Sequence, residues 1–184
     1  MQPAMRFPWV LISRCALIAA MVWAAFLSLG ASPTFATSMM PLSDEQLVKA
    51  SARVIEGNVV GTRSQWNAAH NQIHTTITID VSRAYKGSMP ANHRLVFDQV
   101  GGQVGDIVMD LTDQPSFTKG EHVIVFLRNP AEAVMTPVVG LSQGKLTVIP
   151  DPDTGVPMIR GRAISRDAFT RNLSRVVIEQ EGSR

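Results

Sequence analysis

The chain of 184 residues carries 17 Lys and Arg against 15 Asp and Glu, a formal charge of +2, and contains a single cysteine. A chain of this length is sufficient for one core of ordinary size and too short for two large domains. One cysteine excludes an internal disulfide framework, and the near balance of charge excludes the basic surface of a typical nucleic-acid-binding protein.

Residues 1–36 have the layout of a secretory signal peptide. Arg6 and Arg14 supply positive charge, Cys15–Leu29 is a continuous apolar run, and small residues follow as far as Ala36. The apolar run is shorter than the about 20 residues that a membrane span needs, so we predict cleavage after Ala36. An uncleaved anchor is the alternative, because Phe7–Val10 lengthens the apolar tract.

Cleavage changes both the charge and the expected location. Removing Arg6 and Arg14 from the total leaves 15 basic against 15 acidic residues, and Cys15 leaves with the leader. We therefore predict a neutral, disulfide-free domain over residues 37–184 that is exported, either periplasmic or secreted. It is expected to bind no nucleic acid and, once cleaved, no membrane.

A long strand is the clearest predicted element. Within Ile73–Tyr85, apolar and polar side chains alternate with a period of two, and β-branched residues dominate. Shorter patterns predict further strands, with a polar hairpin loop at residues 62–72 and a hairpin turn at residues 142–144. These strands are expected at Arg53–Val60, His93–Val100, Ile107–Leu111, His122–Leu127, Met135–Leu141, Lys145–Ile149 and Met158–Arg160.

Two helices are predicted to flank the strands. Ser43 with Gln46 three residues later is a capping box for a short helix that begins at Asp44. Ser165 caps an amphipathic helix over residues 165–180, whose apolar face contains Phe169, Leu173, Val176, Val177 and Gln180. The pattern favours a mainly β fold, a small OB-like β-barrel that is closed or partly open, with a two-sheet β-sandwich as the alternative.

A glycine-rich loop is the candidate interaction site. The GGQVG segment allows positive φ or a close approach of the backbone, although its spacing matches neither a P-loop nor a dinucleotide fingerprint. Trp66 either anchors a partner or packs over the end of the barrel. The candidate residues are Gly101, Gly102, Gly105, Asp106 and Trp66.

Catalytic motifs are present only in part. Ser142 fits the Gly-x-Ser-x-Gly pattern, but a nucleophile elbow needs a histidine later in the chain, and the last one, His122, precedes the serine. Carboxylates also repeat along the Asp106–Asp113 loop. We predict that the protein is not an enzyme, and an envelope hydrolase using Ser142 or this loop is the alternative.

Metal-binding patterns are equally incomplete. His70 and His74 are four residues apart, whereas Zn²⁺ needs three or four ligands. Asp151–Gly155 resembles the start of a calcium loop but lacks its closing glutamate, and Asp-Pro with Gly is ordinary hairpin-turn chemistry. No metal or cofactor is predicted, and a metal-binding structural protein is a further alternative.

Five segments together carry a resemblance. VIEGNVV, TTITIDVSRAYKG, FDQVGG, PSFTKGEHVIVFL and VVGLSQGKLTV resemble an exported bacterial β-barrel family of unassigned function, over Leu42–Val148. The YKG and GExVxxFL pieces are the most specific. The strand pattern is also similar to netrin-like OB barrels, which include the tissue inhibitors of metalloproteinases. Those inhibitors act through an N-terminal cysteine that this domain lacks, so no functional residue maps across.

These patterns and the resemblance lead to one functional expectation. We expect a non-catalytic, exported binding module of the cell envelope, whose partner is a protein or peptide. Contact through the Gly101–Gln114 loop is expected, and regulation of a protease is one version of this role.

Overall fold

A six-stranded antiparallel sheet forms the centre of the computed structural model, which describes residues 40–132 and 136–182. The strand order is β3-β2-β1-β6-β7-β8, and β4 and β5 pair in a separate two-stranded sheet. The signal peptide predicted for residues 1–36 lies outside the described residues. The strands are β1 (Arg53–Trp66), β2 (Ile73–Lys86), β3 (Arg94–Val100), β4 (Gly102–Val104), β5 (Ile107–Met109), β6 (His122–Leu127), β7 (Lys145–Pro150) and β8 (Pro157–Ile159).

The long predicted strand is confirmed as β2, which pairs with β1 on one side and β3 on the other. The register of β1 against β2 shifts between Glu56 and Gly57, which places a β-bulge at this glycine. The prediction of a polar loop over residues 62–72 is wrong, since β1 continues to Trp66. Only residues 53–58 of β1 pair with β6, so the far half of the strand stands at the margin of the sheet and carries polar residues.

The segment before β7 differs from its prediction. Leu141–Gly144 forms a 3₁₀ helix, not a hairpin turn. The strand predicted over Met135–Leu141 is reduced to one isolated bridge between Val138 and Leu127, and Met135 lies outside the described residues. Gly144 is packed so closely that a Cβ there would stand 2.0 Å from the carbonyl oxygen of Val139, which favours a compact turn of helix over a paired strand.

Both predicted helices are present, α1 (Asp44–Ala50) and α2 (Arg166–Gly182). The Ser43 capping box is complete, with Gln46 N donating to Ser43 Oγ at 3.2 Å and Ser43 N donating to Gln46 Oε1 at 2.8 Å. The amide of Ala168 donates to Ser165 Oγ at 3.3 Å at the start of α2. Neither helix in the described ranges has both the length and the apolar character that crossing a bilayer requires.

Buried side chains form two clusters, one on each face of the sheet. The helix-side cluster contains Phe126 of β6 and Leu173 of α2. The opposite cluster draws on four strands of the same sheet, with Ile77 and Val125 among its members, and Phe117 from a connecting segment packs against it. β1 and β6 are therefore covered on both faces, which explains why every residue from Val123 to Leu127 is apolar.

The sheet is open, because within the described residues β3 and β8 each pair on one side only. The mainly β class with two helices is confirmed, whereas the closed form of the predicted barrel is wrong. Alternating patterns establish that strands exist, but they do not establish whether the first and last strands of a sheet meet.

Candidate functional site

A cleft of about 420 Å³ opens where β2 begins, β3 ends and the chain turns into the β4–β5 hairpin. Its volume falls in the range of small-ligand pockets. β1, β2 and β3 contribute one side, the β4–β5 hairpin a second, and the segment after it a third. The lining includes Ser64, Thr75, Gln99, Gly101, Gly102, Val108, Met109, Gln114 and Phe117.

Two consecutive glycines form part of the cleft wall. Gly101 has φ 105 and Gly102 has φ 132, conformations that L side chains rarely adopt. A Cβ at Gly102 would stand 2.2 Å from Thr75 Oγ1 and 2.5 Å from Ser64 Oγ. Those two hydroxyls are 2.8 Å apart, and Thr75 Oγ1 donates to the Gly101 carbonyl at 2.6 Å. Glycine is required here because the backbone runs directly against a hydroxyl pair.

Three buried amide atoms in the cleft have no hydrogen-bond partner among the described residues: Oε1 of Gln99, and both Oε1 and Nε2 of Gln114. Gln99 Nε2 donates to the Pro115 carbonyl at 3.0 Å, which fixes the orientation of that amide. Gln114 lies near the glycine wall, since a Cβ at Gly101 would stand 3.6 Å from its Oε1. A buried unpaired polar group costs about 1–3 kcal/mol, and these atoms lie beneath the surface of the cleft, so a ligand pairs with them when the Gln99 or Gln114 side chain turns toward it.

Aromatic and apolar side chains complete the walls. The Phe117 ring meets Phe97 edge-on with centroids 5.6 Å apart, and Lys145 Nζ lies 4.9 Å from the Phe117 centroid. Lys145 is held in turn by Glu121 at 2.6 Å. On the hairpin side, Val108 remains 64% exposed. The cleft thus combines a fixed aromatic wall with an apolar strand that is open to contact.

The structure separates the five residues predicted as an interaction site. Gly101 and Gly102 line the cleft. Gly105, with φ 59, and Asp106 form the exposed turn between β4 and β5. Trp66 ends β1 and stacks against His70 with ring centroids 6.3 Å apart, and it is not among the residues that line the cleft.

The five candidate residues do not include the two glutamines of the cleft, although Gln114 ends the Gly101–Gln114 loop that is predicted to make contact. Gln99 follows Leu95 and Phe97 at alternate positions of β3, and it is 8% exposed. A polar residue that continues an apolar stripe is the signal that could have indicated it. Gln114 has no such signal, because the loop that contains it has no periodicity.

A second polar cluster surrounds Glu56, which is fully buried in β1. Arg166 of α2 binds both carboxylate oxygens, through Nε at 2.7 Å and Nη2 at 3.0 Å. The Tyr85 hydroxyl donates to Oε2 at 2.5 Å. His122 Nε2 lies 2.8 Å from Oε1, and this nitrogen makes no hydrogen bond within the described residues.

These contacts determine the charge states. Burial raises the pKa of Glu56, but the hydrogen bonds from Arg166 and Tyr85 outweigh burial and hold that pKa below its ordinary value. Burial and the adjacent carboxylate raise the pKa of Tyr85 to about 12. Glu56 is therefore an ionised carboxylate whose acceptor sites are occupied, which suits it to tying α2 to the sheet and not to abstracting a proton.

Ser142 and His122, the pair that a hydrolase would need together, are apart, although the amide of Ser142 donates to the carbonyl of Asp113 at 2.8 Å. Ser142 belongs to a 3₁₀ helix that leads into β7, whereas a nucleophile elbow requires a strand turning into a helix. His122 pairs with Val148, while Lys145, next to that 3₁₀ helix, pairs with Val125. Three residues of strand, about 10 Å, therefore separate the position of His122 in the sheet from the position of Lys145, which adjoins the Ser142 helix.

The residues considered for metal binding are also accounted for. Among the described residues, no three His, Cys, Asp or Glu side chains come together to hold an ion. Asp151 Oδ1 accepts from the Thr154 amide at 2.9 Å and from its hydroxyl at 2.8 Å, so the Asp151–Gly155 segment is the hairpin turn that its sequence predicts.

The fold and the site define a mainly β domain with an open sheet and a polar cleft beside it. No protein-family model, curated protein or solved structure matches this chain.

Proposed function

We propose that the protein is a non-catalytic, exported binding module of the cell envelope that takes an extended peptide segment in the Gln99–Gln114 cleft. The observation that carries the proposal is the set of three unpaired amide atoms on these two glutamines. Burying them without partners opposes folding, and a ligand that pairs with them recovers that free energy on binding.

The chemistry of the cleft favours a peptide over an ionic ligand. Gln114 offers one donor and one acceptor, which is the complement of a peptide group, and Gln99 offers a further acceptor. Phe117 and the exposed Val108 supply apolar contacts on two sides. Among the described residues, no Lys or Arg lines the cleft, and Asp110 is the only carboxylate that does.

The fold supports the same proposal. We propose that the curved sheet is a partly open barrel of the OB type, in agreement with the resemblance to the exported bacterial family. OB folds bind ligands on the face of strands 2 and 3 and at adjacent loops, and this cleft adjoins the beginning of β2 and the end of β3. Export rests on the signal-peptide pattern of residues 1–36. A protease-regulating role is a narrower version of the proposal.

The test is selection of heptapeptides from a random phage-displayed library on the folded domain, followed by fluorescence anisotropy with a selected peptide. Gln114→Leu is expected to weaken binding at least tenfold, about 1.4 kcal/mol. It is also expected to leave the free energy of unfolding unchanged or raised, because it removes two unpaired buried atoms. If Gln114 served only to hold the fold together, the substitution would instead lower the free energy of unfolding.

Gln65→Leu is the matched control, since Gln65 is exposed on β1 and does not line the cleft. It is expected to bind the selected peptide as the unsubstituted protein does. Equal affinity of the Gln114→Leu variant, or no selected peptide at all, would contradict the proposal.

A further inference from the structure

A groove of about 490 Å³ is lined by side chains of α2 and by one residue of β2. Three of the side chains that line it are arginines, Arg83 of β2 and Arg171 and Arg175 of α2, each exposed. The groove shares no residue with the Gln99–Gln114 cleft. Its lining is Arg83, Thr170, Arg171, Ser174, Arg175, Ile178 and Glu179.

The three guanidinium groups come together at a cost in repulsion. Arg171 and Arg175 are four residues apart on one helix, where like charges repel. Within the described ranges, no ion pair joins Arg83, Arg171 or Arg175 to a carboxylate. Three positive charges line the groove with one carboxylate, Glu179, and a second carboxylate, Asp167, lies next to it, so the groove keeps a net positive charge.

The positive charge of the groove contributes to the lowered pKa of a neighbouring carboxylate, that of Asp167. The pKa of Asp167 lies below its ordinary value, first because of its hydrogen bond with Arg166, and also through the charges of Arg171 and Arg83. The 2.7 Å contact holds Asp167 against Arg166. Arg83 is also positioned, since its guanidinium carbon lies 5.8 Å from the centroid of the Tyr85 ring.

We propose that this groove binds the phosphoryl group of a phosphate monoester or diester. Guanidinium groups match phosphate oxygens in pairs, and several of them converging from two elements form a phosphate site without a helix N-terminus. Ile178, 69% exposed at the border of the groove, offers an apolar contact for the rest of the ligand. Phosphate is preferred over a carboxylate because it neutralises more of the charge.

Two binding arms distinguish the source of the phosphoryl group. Isothermal titration with glycerol 3-phosphate tests a soluble ligand. Co-sedimentation with phosphatidylcholine vesicles, of which about a third is phosphatidylglycerol, tests a lipid headgroup, with pure phosphatidylcholine as the reference. Binding in either arm, weakened at least tenfold in an Arg171→Gln, Arg175→Gln double variant and weakened by salt, is the expected result.

Arg63→Gln is the control, because Arg63 is equally exposed but lies on β1 outside the groove. It removes one positive charge and is expected to keep the affinity. Binding in neither arm would overturn the proposal, as would binding that the double variant retains. Glutamine has a helix propensity close to that of arginine, and an unchanged circular dichroism spectrum will show that α2 remains folded.

Discussion

The cleft can form only if residue 102 is a glycine. Its φ of 132 excludes most L side chains, and the hydroxyls of Thr75 and Ser64 occupy the space in which a Cβ would stand. The strain and the contact act together, so no small adjustment relieves both.

Gly102→Ala is expected to lower the free energy of unfolding by about 1–3 kcal/mol and to abolish binding of a selected peptide. Urea unfolding and fluorescence anisotropy measure the two effects. Gly61→Ala is the matched control: Gly61 lies on the same strand as Ser64, a Cβ added there would meet no described atom within 4 Å, and its φ is not positive. Equal stability of the two variants would contradict this account of Gly102.

The lowered pKa of Glu56 predicts that the free energy of unfolding decreases in acid. Its pKa is lower in the folded protein than the ordinary 4.5, so its ionised form stabilises the fold above that pH. This contribution is lost as the pH falls through the folded pKa. Glu56→Gln leaves the half-buried Arg166 against a neutral amide, with Asp167 as its remaining carboxylate, and is expected to cost about 3 kcal/mol at pH 7, the lower end for a broken buried pair.

The measurement is urea unfolding of the unsubstituted protein and of the Glu56→Gln variant from pH 7 downward. The difference in unfolding free energy is expected to shrink below pH 4.5, because the unfolded chain takes up a proton at Glu56 there while the native carboxylate stays ionised down to its lower pKa. Asp106→Asn removes an exposed carboxylate from the β4–β5 turn and is expected to change little at either pH. A constant difference at every pH would show that the charge of Glu56 is not the stabilising feature.

How much the sequence predicts depends on how far apart the cooperating residues lie. The Ser43 cap and the alternation in β2 depend on neighbours within a few residues, and both predictions are correct. The role of Glu56 depends on Arg166, which is 110 positions away. No local pattern distinguishes a buried glutamate from an exposed one on a strand.

Separation along the sequence also hides the Gln99–Gln114 cleft and the groove lined by arginines. Arg83 and Arg171 lie 88 positions apart in the sequence, and only the packing of α2 across β2 brings them together. Glycine chemistry indicated the Gly101–Gly102 wall, whereas the amide of Gln114 is in place only because its loop returns over that wall. Patterns of local propensity therefore predict elements, and they do not predict which elements meet.

At the scale of elements, one hydrogen-bonded group joins β1, β2 and α2. Glu56 of β1 receives bonds from Tyr85 of β2 and from Arg166 of α2. The helix is therefore attached by polar contacts at its first turn and by apolar ones, through Phe169 and Leu173, further along. Loss of the proton from Tyr85 would place a second negative charge against Glu56 and loosen this junction.

Tyr85 therefore predicts a loss of stability in alkali. Its pKa is raised from 10.0 to about 12 in the folded protein, so its contribution is complete below pH 10 and is lost as the pH rises through 12. The free energy of unfolding is expected to fall by about 2 kcal/mol over that interval. In Tyr85→Phe this part of the decline is expected to be absent.

Tyr85 is the only tyrosine in the chain, so phenolate absorbance follows its titration directly. The native protein is expected to show a midpoint near 12, and the same protein in concentrated urea one near 10. A native midpoint near 10 would show that the bond to Glu56 is absent in solution.

At the scale of the whole molecule, an open sheet must protect two edges. β8 has three residues and begins with a proline, which discourages pairing. β3 is longer, with seven residues, and Val96 is 54% exposed. Arg94, paired with Asp80 at 3.1 Å, and Asp98 flank it. Charges of this kind prevent two edge strands from pairing between molecules.

Asp98→Val is therefore expected to convert the β3 edge into an association site, because it removes the charge and extends the exposed apolar row from Val96. Light scattering after size exclusion is expected to show dimers or larger species that increase with concentration. Asp153→Val makes the same substitution in the exposed β7–β8 turn and is expected to remain monomeric. If both variants elute as monomers at millimolar concentration, shape and not charge protects this edge.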